Sequence, residues 1–327
     1  MIIGRWQLVE TLGRPDTWSM LCAGTSPREW ASYQRAIPSR LQALIATAHA
    51  TGAPVEQVLP KSRNPWSQLQ FRAVPVLWSE VSTHAVKVWV GEKAPEEELS
   101  VAPFQVDSHA RIVRTQPEGL GPHFGSGPFE YTGAEPFQRI ERFDNALEVI
   151  AALSRSDPGS RWSGIATVYS GIGPRSLLVA ARNGHDDEGR FDWRGIAIDV
   201  TDSIAPQPKS FEAATLDLLR ESQPGLFLVI LDTAQVRAVR WVTEPMPGLR
   251  WRGVDERTVP HPDDRPRIAA LRTEILAGAT RAGLTGLRLA AEEGGWLTVD
   301  VEVSPLPDGG AVPAFMLAQL QVTAPQG

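Results

Sequence analysis

FDWRGIAIDVTDSIAPQPKSFEAATLDLLRESQPGLFLVILD, residues Phe191 to Asp232, is the stretch whose reading divides the chain. Ile196, Ile198 and Val200 alternate with Gly195, Ala197 and Asp199, the period-2 pattern of a strand with one buried face. Asp199 and Thr201 lie on the other face, and Asp202, Pro206 and Pro208 carry the chain out through a polar, proline-marked turn. Phe211, Ala214 and Leu218 then recur at i, i+3 and i+7 between Lys209 and Gln223, which predicts a short connecting helix. Pro224-Gly225 closes that helix, and the unbroken apolar run Leu226 to Leu231 predicts a buried strand opening a new sheet. Asp199 and Thr201 are expected to fix the strand's exit while Phe211, Ala214 and Leu218 dock the connector, so that these five residues couple the domains on either side.

Outward from this boundary, 327 residues with 42% hydrophobic content suffice for two or three domains with real cores. A net charge of −6, with no run of Lys or Arg, argues against a nucleic-acid partner, because phosphate binding needs a concentrated basic surface. No apolar stretch approaches the roughly 20 residues that span a bilayer, so membrane insertion is not expected. One cysteine, Cys22, allows no internal disulfide and points to a reducing, cytoplasmic location.

In the first segment, Trp6 to Glu10 and Trp18 to Ala23 read as paired strands around Gly13, Pro15 and Asp16. Leu41, Leu44, Ile45 and Ala48 predict a helix that starts near Ser39 and ends at Gly52. Leu69 to Trp78 and Ala85 to Val90 follow as strands, and the charged stretch Glu92 to Ser100 reads as a solvated linker. The middle segment offers Phe104 to Val106 and Arg111 to Thr115 as strands, a Gly/Pro loop from Glu118 to Pro128, and a helix behind an Asn145/Glu148 capping box. Strands at Gly164 to Ser170, Ser176 to Arg182 and Trp193 to Val200 close it. In the last segment, Leu226 to Asp232 and Val236 to Thr243 predict a hairpin, Ile268, Leu271, Ile275 and Ala279 a helix face, and three strands end the chain. Two strands, a loop, a helix and three strands is the order of the last segment, and it appears less cleanly in the other two. The predicted fold is therefore α+β, with domains at 1–94, 100–204 and 225–323 and a connector helix at 205–224.

DVTD feeding a helix resembles the junction between consecutive PAS-type sensor domains, and LFLVILD with the bend VDERTVPHPDD resembles a PAS domain. With RWQLVETLG and HAVKVWVG at the front, the chain resembles actinobacterial proteins built from three sensor-type domains in PAS–GAF–PAS order. The resemblance implies three tandem PAS/GAF-like domains, each an antiparallel sheet flanked by helices. It further implies a sensory or interaction role, and it supplies no cofactor and no catalytic residues.

His261, Asp263 and Asp264 form the most metal-like cluster, but Pro262 and two acids at a helix start already answer the free N–H groups there, and no second His or Cys stands at ligand spacing. His185, Asp186, Asp187 and Glu188 between Gly184 and Gly189 read as a hairpin loop. Gly119, Gly121, Gly125 and Gly127 lack the Lys-Ser/Thr and the strand–helix frame of a phosphate loop. Cys22 in an apolar strand reads as a small core residue, and no metal or cofactor is expected.

Candidate pocket residues are Leu271 and Ile275 on the last helix, facing Leu287, Leu289, Val299 and Val301 on the strands; the simpler reading is that they fill a core. The functional expectation is a non-enzymatic sensor or scaffold. It would act through an unknown protein partner that supplies the output, with a small-molecule ligand as a second mode. Scaffolding is favoured over ligand sensing because no polar group stands out in the expected interior. The alternative is a hydrolase or lyase assembled from dispersed groups such as His123, His261 and Asp263, which requires them to meet in one cleft.

Overall fold

The computed structural model describes residues 3–80, 82–93, 95–155, 157–184, 192–211, 214–215, 218, 225–306 and 313–322. The chain is mixed α/β, with three largely antiparallel sheets and few helices, and it divides into two compact units. The first unit comprises Met1–His109, Val113–Glu130 and Glu141–Pro208, and the second Ala110–Ile112, Tyr131–Ile140 and Lys209–Gly327. No helix among the described residues is long and apolar enough to cross a membrane.

The first sheet contains β1 (Gln7–Glu10), β2 (Ser19–Ala23), β3 (Ser26–Ser32), β4 (Val55–Val58), β5 (Gln70–Ser79) and β6 (Ser82–Gly91), in the order β3-β2-β1-β6-β5-β4. Helix α1 (Tyr33–Ala36) is a single turn, and α2 (Ser39–Thr51) ends at Gly52, whose φ of 63° is the left-handed cap a glycine supplies without strain. Leu41, Ile45 and Ala48 of α2 pack on Val86, Val88 and Val90, one face of β6. Ala85 and Trp89 on the opposite face are buried too. Both faces of β6 are covered, which explains its near-continuous apolar sequence.

The second sheet contains β7 (Val101–Asp107), β8 (Ile112–Thr115), β9 (Phe129–Thr132), β10 (Ile140–Arg142), β11 (Arg161–Ser170), β12 (Gly173–Asn183) and β13 (Trp193–Asp199), with α3 (Ala146–Arg155) preceding β11. Its order is β10-β11-β12-β13-β7-β8-β9. Leu8, Cys22, Ala85 and Trp89 from the first sheet share one core with Leu178, Ala180, Ile196 and Ile198 from the second. The solvated linker expected at Glu92 to Ser100 is corrected accordingly. Glu98 is held by Arg72 at 2.8 Å and by Lys87, the Glu97 carbonyl accepts from Trp6 Nε1 at 3.0 Å, and Leu99 is buried. A charge run adjoining two packed sheets is pinned through Glu98 by the cations that the first sheet presents.

The third sheet contains β14 (Phe227–Asp232), β15 (Ala238–Trp241), β16 (Ala282–Ala290), β17 (Trp296–Pro305) and β18 (Phe315–Val322), in the order β15-β14-β18-β17-β16, with α4 (Arg265–Leu276) before β16. Second strand, first, last, next to last and third from last is thus the strand order. The same order lies inside the other two sheets, as β2-β1-β6-β5-β4 and β8-β7-β13-β12-β11, with β3, β9 and β10 added at edges. The recurring order of elements seen in the sequence therefore corresponds to a recurring sheet topology. Strands β3, β4, β9 and β10 were not expected; all four have seven residues or fewer at a sheet edge and none is buried along its length, so no apolar alternation marks them.

Candidate functional site

The second unit holds a partly open, mainly apolar cavity of about 130 Å³. Leu271 of α4, Leu287 and Leu289 of β16 and Val301 of β17 line it, four of the six residues expected there. Ile275 and Val299 are fully buried in the same apolar cluster and are not among its lining residues. Val229 and Leu231 of β14, Ala318 and Leu320 of β18, Ile268 of α4, Ala134, Trp241 and Trp251 complete most of the wall.

Two bulges shape this wall. The β14–β15 register slips between Ile230 and Leu231, so Ala238 and Trp241, three residues apart, both reach the cavity. The β16–β17 register slips between Leu284 and Leu287, where Gly286 has φ of 65° and its N–H donates to Asp300 Oδ1 at 2.8 Å. Leu284 and Leu287 then both face inward, although strict alternation would separate them.

One end of the cavity is polar. Asp255 caps a 3₁₀ turn at Glu256–Thr258 by accepting from Arg257 N–H at 3.0 Å, and the turn sends Arg257 outward while Glu256 is buried against the cavity. Arg237 Nε donates to Glu256 Oε2 at 2.9 Å, and the two side chains are 2% and 9% exposed. The rest of the Arg237 guanidinium is partnered as well, by Gln235 Oε1 at 3.2 Å and the Ala110 carbonyl at 3.1 Å. Asp232 accepts from Gln235 N–H at 2.6 Å, from Arg237 N–H at 3.1 Å and from the Arg111 guanidinium. Glu256 Oε1 and Trp241 Nε1 are the exceptions: neither has a hydrogen-bond partner among the described residues. Burial pushes the Glu256 carboxyl above its ordinary value, and Arg111 and Arg237 oppose that rise. Gly133, at φ of 52°, passes so close that a Cβ there would stand 1.6 Å from Glu256 Oε1.

Residues 5–97 match the Rv3651-like N-terminal domain, and residues 214–318 match the Rv3651-like C-terminal domain. The chain carries both Rv3651-like domains. An uncharacterised protein from Mycobacterium tuberculosis, known from its crystal structure, superposes with a TM-score of 0.76 over 98% of this chain and 97% of its own, at 20% identity. That likeness bears on the fold alone. An RNA-binding light-oxygen-voltage receptor matches 68% of this chain and 95% of its own at 12% identity, and its TM-score of 0.26 carries no argument. No curated protein matches. Apart from Ala134 and Leu320, every residue lining the cavity falls inside the segment matched by the Rv3651-like C-terminal domain.

In the same Rv3651-like domain, HPDD starts α4 differently from expectation. His261 Nδ1, not an acid, accepts from Asp263 N–H at 3.2 Å, and the imidazole meets Trp296 edge-on at 4.5 Å. Asp264 is buried and clasps Arg288 of β16, accepting from its backbone N–H and its Nε at 3.0 Å each, with Arg267 at 3.2 Å. Arg288 foremost holds the Asp264 carboxyl far below the usual carboxylate range. The acid thus ties helix to sheet, and no group of three metal-ligating side chains occurs among the described residues.

Asp199 and Thr201 act within the second sheet. Asp199 Oδ1 accepts from Thr201 N–H at 3.0 Å and from its hydroxyl at 2.6 Å, Arg175 donates to Oδ2 at 2.8 Å, and Ser176 N–H donates to Thr201 Oγ1 at 3.0 Å. Of the connector, Phe211, Ala214, Thr215 and Leu218 are described as helical; Phe211 is 82% and Leu218 66% exposed, and Ala214 is exposed as well. The loop from His185 to Glu188 lies outside the described residues. In the glycine-rich loop, Glu118 accepts from Gly127 N–H, so a carboxylate already takes that donor. Cys22 is fully buried in β2, and burial pushes its thiol up to about 12, which leaves it unreactive. His123 belongs to the first unit, and His261 and Asp263 to the second.

Proposed function

We propose that this chain is a non-enzymatic sensor-type protein that binds a small, mainly apolar molecule inside its second unit and reports the bound state through a protein partner. The observation that carries this reading is the cavity of about 130 Å³, whose lining includes Trp241 and Glu256, each with a buried polar atom that has no hydrogen-bond partner among the described residues. Close packing leaves few voids in a core that has only to be stable, and buried polar atoms are nearly always paired. A void of this size is comparable to the apolar cavities of about 150 Å³ that admit benzene. These polar groups reverse the order in which the sequence ranks scaffolding and ligand sensing.

The strand order common to the three sheets supports reading them as tandem PAS/GAF-type domains. A single, fully buried cysteine supports a cytoplasmic location. The dispersed hydrolase or lyase reading gains no such support, since neither unit by itself gathers His123, His261 and Asp263.

A methyl-NMR titration of the full chain with toluene tests the binding reading. Shifts are expected at Leu271, Leu287, Leu289 and Val301, with Leu41 and Ile45 of the first unit unmoved, and a dissociation constant of roughly 0.1–1 mM suits a seven-atom ligand. Ala318→Leu, which adds bulk at the wall, should abolish those shifts while the fold persists. Cavity methyls that stay still at several millimolar toluene would remove the reading.

A further inference from the structure

We infer that the strap from Gly133 to Arg139 is the ligand-responsive wall of this cavity: a bound molecule holds it seated, and without one it opens locally. The inference rests on the ligand-binding reading above and names the element through which occupancy is reported.

Most of the wall is built into regular structure. β14 to β18 share one ladder, and α4 carries its own hydrogen bonds. The loop after β15 is tied to β16 by backbone bonds from Arg250 N–H to the Ala290 carbonyl, from Ala290 N–H to the Val259 carbonyl and from His261 N–H to the Arg288 carbonyl, at 2.9, 2.8 and 2.9 Å. The strap is attached differently. It joins β9 to β10, carries a 3₁₀ turn at Glu135–Arg139 that packs on β15, and places the buried Ala134 in the cavity wall. Side chains fasten it. Gly133 N–H donates to the Arg111 carbonyl at 3.0 Å, the Arg111 guanidinium reaches Asp232 and, at 3.0 Å, the Ala238 carbonyl, and Arg252 donates to Gln138 Oε1 at 3.0 Å. Arg111 itself has φ of 56°, a conformation that a non-glycine residue keeps only where its surroundings hold it. Local opening begins where ladder bonds and buried contacts are fewest, which singles out the strap from the rest of the wall. A molecule that touches Ala134 only while the strap is seated favours that state by the difference in contact. Ala238 also lines the cavity, so the strand that receives the fastening of the strap is one that the ligand touches. Because β9 and β10 are edge strands of the second sheet, a change in the strap has a covalent route onward.

Hydrogen exchange of the full chain, read amide by amide by NMR, tests this in the unmodified protein. Without ligand, the amides of Gly133, Phe137 and Ile140, whose acceptors lie in the strap or on Arg111, are expected to exchange roughly tenfold or more faster than those of Val299 and Val301 in β17. Toluene at about five times its Kd should slow the strap amides about sixfold, the factor 1 + [L]/Kd for a ligand held only by the seated state. Gln138→Ala, which removes the bond to Arg252 on the exposed side of the strap, should speed the strap amides about two- to tenfold and leave β17 unchanged. If toluene shifts the methyls of Leu271 and Val301 while the strap amides keep their exchange rates, the inference is overturned and the binding reading stands. Strap amides that exchange as slowly as those of β17 before any ligand is added overturn it likewise, and an unchanged rate in Gln138→Ala overturns the role of that fastening. Should the cavity methyls stay still, the binding reading itself fails.

Discussion

Arg182 and Glu10 offer the sharpest perturbation of the first unit. Arg182 Nε and one terminal nitrogen reach the two oxygens of Glu10 at 3.0 and 2.9 Å, and the side chains are 7% and 0% exposed. Thr17 accepts from the same guanidinium through its carbonyl at 2.8 Å and its hydroxyl at 3.3 Å, and Leu12 N–H donates to Glu10 Oε1 at 2.8 Å. β1 carries the acid and β12 the base, so the pair fastens the first sheet to the second across their shared core. Removing one partner strands the other charge, which costs about 3–5 kcal/mol, whereas replacing both with apolar side chains is often near neutral. Arg182→Met and Glu10→Met are each expected to destabilise by about 4 kcal/mol, and the double variant by about 1–2 kcal/mol once the lost bonds to Thr17 and Leu12 are included. The coupling is then about 6 kcal/mol. Urea denaturation of the full chain, followed by tryptophan fluorescence, reads it: with a slope of roughly 2–3 kcal/mol/M, each single variant shifts the midpoint of the first unit by about 1.5–2 M. Additive losses, with a coupling below about 0.5 kcal/mol, would show that the pair does not act as a unit and would refute the reasoning.

Two further outcomes follow from buried groups. His84 Nδ1 lies 2.9 Å from the Gly195 carbonyl, its Nε2 has no partner among the described residues, and burial foremost lowers its pKa from 6.5 to about 4. The unfolded chain therefore takes up a proton between pH 6.5 and 4 that the folded first unit refuses, so stability present above pH 6.5 declines through this window and levels off below about 4, a loss on the order of 3 kcal/mol. His84→Gln should flatten that slope in urea midpoints measured at pH 7, 5.5 and 4; an unchanged slope would assign it to other groups. Gly133→Ala combines a φ of 52° with a Cβ 1.6 Å from Glu256 Oε1, so it should destabilise the second unit by about 1–3 kcal/mol and move the cavity methyls. A melting curve and methyl spectrum identical to wild type would contradict the tight approach at Glu256.

Much of this architecture can be read in the residues themselves. Leu297, Val299, Val301 and Val303 against Trp296, Thr298, Asp300 and Glu302 mark β17, and β18 occupies Phe315–Val322 as expected, because half-buried strands write their burial into alternate positions. Leu287, Leu289 and Val301 are visible for the same reason, and Leu271 through the helical spacing of Ile268, Leu271 and Ile275. Leu284 and Trp241 are not, since the bulges that turn them inward shift the parity on which such a reading depends. Glu256 is hidden more deeply. It stands between Asp255 and Arg257 in a charged run, and only the Asp255-capped turn and Arg237, nineteen positions earlier, decide which of the three faces inward. Gly133 and Ala134 lie still further away in sequence, where no local pattern reports a role in a cavity lined from β14 to β18. The core shared by the first two sheets was obscured by the charges of Glu96 to Glu98, which mimic a solvated linker but are held by Arg72 and Lys87 through Glu98.

Crystals of the full chain soaked in phenol test most directly whether the second unit is a ligand-binding module. Electron density for one ring between Trp251, Leu271, Leu287 and Ala318 is the predicted result. A cavity collapsed by side-chain repacking, with phenol found only on the surface, would contradict it.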